Sequence, residues 1–185
     1  MCDAITTACD EALAGKLDAW FVTDSIQGGA GTTANMNVNE VIANRATELL
    51  GGAKGSYLCH PNDHVNCSQS TNDVIPTAGR LTVIGLAEEL FRNTAALTDA
   101  LDEKARQFND VIKMGRTQLE DAVPIRLGQE FAAYSSAVKR CVSLLQNAVK
   151  EMHAVNLGGT AIGTAINVRR AYLTGVVPEL SRITG

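Results

Sequence analysis

Aromatic residues are scarce in this sequence, at 4% of 185 positions. A core therefore has to be assembled from Ala, Leu, Val and Ile, side chains that suit closely packed helices. Long apolar runs are also missing; the longest are short and interrupted, so no segment is expected to span a bilayer. No stripe of Lys and Arg stands out, and the formal net charge is −4; both argue against a general nucleic-acid binder. The opening stretch, Met1 to Leu17, has no basic region and carries Asp3, Asp10 and Glu11, unlike an export or transit signal. The five cysteines are odd in number and are not spaced as a small disulfide scaffold. Reduced thiols in a cytoplasmic setting are the expectation.

What is present is mostly helical pattern. Residues 3–17 (DAITTACDEALAGKL) read as an amphipathic helix with no entry cap, and the chain stops just after another helical stretch, PELSRITG. An internal piece of a longer protein is expected. Between these ends, residues 124–153 place Leu127, Phe131, Tyr134, Val138, Cys141, Leu145, Ala148 and Met152 at alternating spacings of 4 and 3. That is the 3.5-residue period of a coiled-coil-like seam, and Pro124 suits a first helical turn. At ~1.5 Å per residue the rod is on the order of 45 Å long, more than a small domain needs. A second rod is expected over residues 76–107, from Val83, Leu86, Leu90, Leu97 and Leu101, with Phe108 continuing the period. Two such rods need others beside them, from this chain or from other subunits. The fold class expected is all-α, a long-helix bundle.

Four loops separate the helical segments: 27–37 (QGGAGTTANMN), 57–73 (YLCHPNDHVNCSQSTND), 114–124 (MGRTQLEDAVP) and 156–164 (NLGGTAIGT). All are rich in Gly and in small hydroxyl or amide side chains, and the first three run into expected helix starts. A helix N-terminus offers unpaired N–H groups and a positive dipole end, so such loops can receive carboxylates or phosphates. Helix capping alone would also account for any one of them. Shorter patterns carry less. GAGTTA at 29–34 fits a dinucleotide fingerprint formally, but no alternation of strands and helices surrounds it. GGAKGS at 51–56 lacks the Gly-Lys-Ser/Thr ending of a phosphate loop. Cys59, His60, Asp63, His64 and Cys67 are residue types that ligate zinc, yet Pro61 disfavours a helix that would bring His60 and His64 to one face. No metal and no cofactor are expected. His153 reads as a surface or helix-end residue.

The stretches GGAGTTANMNVNEVIANRA, HPNDHVNCSQSTNDVIPTA, MGRTQLEDAVPIRLGQEF and NLGGTAIGT resemble, in order, the signature regions of the aspartase/fumarase superfamily. The resemblance covers essentially residues 20–185. GGAGT, NDHVN, SQSTND and GRTQ look like the aspartase branch, where fumarases read more like GSGT, NDDVN, QSSND and GRTH. The resemblance implies a three-domain chain whose central long helices pack four-fold into a homotetramer. Residues 1–73 would end the first domain, carrying two substrate-binding loops, and 74–185 would begin the central bundle. It also implies an activity: L-aspartate is converted to fumarate and ammonia through an aci-carboxylate dianion, after a serine base takes a Cβ proton.

By the same resemblance, Thr32, Ser70 and Thr71 would bind the β-carboxylate, Asn72 and Gln118 would hold the amino group with help from Thr32, and Thr117 would contact the α-carboxylate. Asn35 would support the first loop. His60, Asn62 and Asp63 match a secondary anion site of the fumarase branch. Gln118 stands where many relatives have His; Gln cannot titrate, so it can only orient. The family's base lies in a G-S-S-x-M-P-like loop, with a Lys and an Asn that grip the α-carboxylate, and no such string occurs in this sequence. Active sites of the family draw on three subunits; this segment would supply two of the three parts, and no catalytic base is expected from it. Two other readings stay open: a fumarate hydratase of the same superfamily, and a non-catalytic, self-associating helical scaffold.

Overall fold

Both rods form, but neither starts where periodicity puts it. In the computed structural model, which describes residues 1–185, the elements run α1 (Cys2–Leu13), α2 (Thr32–Leu49), α3 (Thr71–Gln107), β1 (Ile112–Thr117), β2 (Glu120–Arg126), α4 (Leu127–Glu151) and α5 (Arg170–Thr184). Helix α3 begins five residues before position 76, where the second rod was expected to start, and carries Pro76 inside. The segment 114–126 is no loop leading into a helix. It is most of an antiparallel hairpin, with Met114 opposite Pro124 and Thr117 opposite Glu120. Pro124 therefore lies in a strand, and the α4 helix begins only at Leu127, where Gln129 Oε1 accepts the Arg126 N–H at 2.9 Å. A proline is tolerated in a strand that has a free edge, and this sheet has only two strands. The protein is otherwise helical, and no helix is long and apolar enough to cross a membrane.

The chain divides into two units, residues 1–78 with 155–185, and residues 79–154. The core of the first is small: Ala8, Leu17, Ile42, Ala43, Ala46 and Cys59 are buried, with Ile5, Phe21 and Val65 packed against them. Alanines at the contact let α1 and α2 approach closely. Thr47 Oγ1 accepts the Cys59 N–H at 3.0 Å, tying the 57–73 segment to α2.

In the second unit polar side chains link α3 to α4. Ser135 is buried and donates to Asp102 Oδ1 at 2.5 Å, while Lys139 Nζ donates to Asp102 Oδ2 at 2.6 Å. The seam expected from the period lies partly outside this contact: Val83, Leu86, Leu90, Leu97, Tyr134 and Leu145 are all exposed, Leu86 by 66%. The hydrogen bonds from Lys139 and Ser135 hold the Asp102 carboxyl below its ordinary range. A carboxyl held low in the folded state stabilises fully above the ordinary range, and loses that contribution as pH falls through its depressed value. Asp102→Asn should therefore melt below the wild type near neutral pH, with the gap narrowing as the pH falls below the ordinary carboxylate range. Thermal unfolding followed across that pH range checks this; a gap independent of pH would contradict it.

Candidate functional site

The first two polar segments meet through the starts of α2 and α3. Gly31 caps α2 in a left-handed conformation, at φ 83°, and a Cβ there would lie 2.9 Å from Ile75 Cγ1 of α3. Only glycine allows that turn and that approach together. One turn further on, Asn35 is buried and donates from Nδ2 to Thr71 Oγ1 at 3.1 Å. Two helix N-termini are thus held side by side. Thr32, the first residue of α2, is exposed at this junction.

Ser70 and Asp73 form a reciprocal cap on α3. Ser70 Oγ accepts the Asn72 N–H at 3.1 Å, and Asp73 Oδ2 accepts the Ser70 N–H at 3.1 Å. Capping and ligand binding are therefore not alternatives here: the Ser70 hydroxyl proton is still available to a carboxylate. Asp73 is fully buried, and its Oδ1 has no hydrogen-bond partner. Burial, followed by the charge of Asp73, pushes the nearby Tyr172 hydroxyl above its ordinary range.

The loop after α4 closes the other side. Asn72 donates from Nδ2 to the Ala161 carbonyl at 2.8 Å, and Asn156 Nδ2 donates to the Asn72 carbonyl at 2.6 Å. Ser68, Ser70, Thr160, Ala161 and Asn167 line a hollow of about 350 Å³ between this loop and the start of α3. Thr160 is a β-branched residue at φ 61°, backbone that it adopts only where its surroundings enforce it; Asn167, at φ 62°, is of a type that enters this region more readily.

Thr117 and Gln118 belong to the second unit, at the tip of the β1–β2 hairpin. Gln118 and Leu119 form its two-residue turn at φ 52° and 66°, as a hairpin that follows the strand twist requires. Asn-Gly is the usual choice there, so a Gln-Leu pair keeps its side chains at a cost in backbone strain. Both residues are exposed.

His60, Asn62 and Asp63 lie on a short π-helical turn, Pro61–Val65, with proline at its first position. Pro61 thus opens a helical turn, where the sequence reading expected it to oppose one. The N–H groups of Asn62 and Asp63 donate to His60 Nδ1 at 3.2 and 3.3 Å, and the His60 N–H donates to His64 Nδ1 at 2.8 Å. Those backbone donors are occupied within the turn, leaving side-chain groups to face an anion. No three His, Cys, Asp or Glu side chains cluster closely enough to hold a metal ion. His153 closes the end of α4, its Nδ1 3.2 Å from the Val149 carbonyl.

A second hollow, of about 310 Å³, is lined by Trp20, Arg45 and Lys54. Its cations are engaged: Arg45 bonds Glu11 and Glu48, and Lys54 lies 4.1 Å from the centre of the Trp20 ring. Of the four polar segments only Asn37 reaches this hollow, and none of the candidate site residues does. Sequence reading overlooked Asn156, Ala161 and Asp73; the available signal was Pro76, four residues after Asn72, which leaves a helical carbonyl without its usual donor.

As it stands, the site offers hydroxyls, amides and helix N–H groups. It can bind and orient an anion; among its substrate-facing candidates no group is a base near neutral pH. The chain is 49% identical to aspartate ammonia-lyase of Bacillus subtilis over 98% of its own length and 38% of that protein. It is 48% identical to fumarate hydratase class II of Thermosynechococcus vestitus, over 98% of this chain and 39% of the relative. A solved fumarate lyase:delta crystallin from Brucella melitensis superimposes with a TM-score of 0.91 at 51% identity, covering 99% of this chain and 40% of that one. This chain spans roughly two fifths of the length of each. The lyase family model matches residues 1–185, and the chain belongs to that family.

Proposed function

We propose that the chain is an internal segment of an aspartate ammonia-lyase, acting on L-aspartate to give fumarate and ammonia. The observation that carries the reading is the Asn35–Thr71 hydrogen bond, which joins two helix N-termini rich in neutral donors. Proton removal beside a carboxylate builds a second negative charge on it, and preorganised donors stabilise that charge as it develops. Thr32, Ser70 and Thr71 would supply those donors to the β-carboxylate. Thr117, on the hairpin tip, would contact the α-carboxylate, with Asn72 and Gln118 on the amino group. His60, Asn62 and Asp63 would form a secondary anion site. The base would come from a serine outside this segment.

A homotetramer in the cytoplasm accompanies this reading. Its support is the exposed apolar row of Leu86, Leu90, Leu97 and Leu145, the kind of surface that drives assembly, together with five unpaired thiols.

A fumarate hydratase is the second reading, favoured by the near-equal identity to such an enzyme. Gln118 favours the first, since an amide can orient an ammonium group but cannot relay a proton. In the complete enzyme, Gln118→His is expected to retain part of the deamination of L-aspartate without gaining malate dehydration. Efficient dehydration by that variant would show that residue 118 decides the chemistry and does not merely orient.

A further inference from the structure

The first turn of α3 has a gap that another part of the chain fills. In a regular helix the Asn72 carbonyl accepts the N–H of residue 76. Pro76 has none, and Asn156 Nδ2 donates to that carbonyl instead, at 2.6 Å. The contact is reciprocal, because the Asn72 side chain reaches back to the Ala161 carbonyl at 2.8 Å. Only the NH₂ of an amide can face a carbonyl, so the orientation of Asn72 is fixed: its NH₂ is committed, and Oδ1 remains as a pure acceptor. The loop on the other side is itself held by internal bonds, Gly159 N–H to the Asn156 carbonyl and Ala165 N–H to the Gly159 carbonyl, both 3.0 Å. Thr160, Ala165 and Asn167, all at positive φ, make it a shaped loop with little freedom to follow α3 if the link were cut.

We propose that Asn156 is a positioning residue that acts through Asn72, fixing its Oδ1 as the acceptor for the substrate's ammonium group. This rests on the aspartate ammonia-lyase reading given above. A purely structural link would affect every ligand of the site alike. A link that aims Oδ1 affects only ligands with an amino group.

The test uses the complete enzyme, with L-aspartate as substrate and succinate, a dicarboxylate of equal length without the amino group, as competitive inhibitor. Wild-type enzyme unable to deaminate L-aspartate would overturn the functional reading, and this proposal with it. With that activity present, Asn156→Ala is expected to raise KM for L-aspartate about ten-fold or more, while the inhibition constant of succinate stays within about two-fold. If the alanine variant does not fold, Asn156→Ser, which keeps a small polar side chain, should shift the same two constants in the same unequal way. Parallel weakening of both ligands, or no change in either, would overturn the positioning role and leave the functional reading intact.

Discussion

L-Aspartate incubated with the 185-residue chain alone is expected to release no measurable ammonia. Thr32, Ser70, Thr71, Asn72, Thr117 and Gln118 are hydroxyls and amides, and elimination needs a group that accepts a Cβ proton near neutral pH. His60 and His64, the imidazoles nearest in sequence, have their Nδ1 atoms taken up by backbone N–H groups of their own turn. The serine-bearing string of the family does not occur in the chain. Mixing in the remainder of the enzyme, if the pieces assemble, should restore turnover. Ammonia release by the chain alone, proportional to its concentration, would mean that a base lies among these residues.

Gly31→Ala is expected to destabilise the first unit by about 2–5 kcal/mol and to spoil the site with it. Two costs combine. A left-handed conformation is unfavourable for alanine by ~1–2 kcal/mol, and an added methyl in filled space typically costs ~1–3 kcal/mol. Here the added carbon would fall 2.9 Å from Ile75 Cγ1. Because the clash separates α2 from α3, the Asn35–Thr71 bond should weaken as well. Ile75→Ala in the same chain makes room, but leaves the backbone strained, so it should recover only part of the loss. Denaturant unfolding of the single and double variants gives the comparison. Full recovery by the double variant would reduce the role of Gly31 to size alone.

Much of the helical scaffold was legible because apolar spacing and helix length leave few alternatives. The hairpin was not. MGRTQLEDAVPIR carries none of the Asn-Gly or Asp-Gly turn chemistry that marks a tight hairpin, and Pro124 reads equally well as a first-turn residue. The turn that forms instead places Gln118 and Leu119 at positive φ, a strained choice that local propensity disfavours. Start positions failed for a related reason. Apolar spacing starts the second rod at residue 76, whereas the Ser70–Asp73 cap and the donor from Asn156 carry the helix five residues further back.

The seam was misplaced in part because a period cannot say which neighbour it faces. On α4 the half-buried or buried positions within the chain include Phe131, Ser135, Val138 and Val142, and the Ser135–Asp102 bond draws that face to α3. Tyr134 and Leu145 stay outside, as a surface for further helices would. At the site, the polar segments stood out by composition. The resemblance supplied the individual roles. What neither supplied was the support around Asn72, since Asn156 is 84 residues away in sequence and such a partner emerges only from the folded chain.

The central claim is that this segment belongs to an enzyme that eliminates ammonia from L-aspartate. The most direct measurement is fumarate formation by the complete enzyme, followed in parallel with L-aspartate and with L-malate. The account predicts fumarate and ammonia in equal amounts from L-aspartate, and no appreciable fumarate from L-malate. Rapid fumarate formation from malate with none from aspartate would contradict it, and would assign the neutral donors of α2 and α3 to a hydratase.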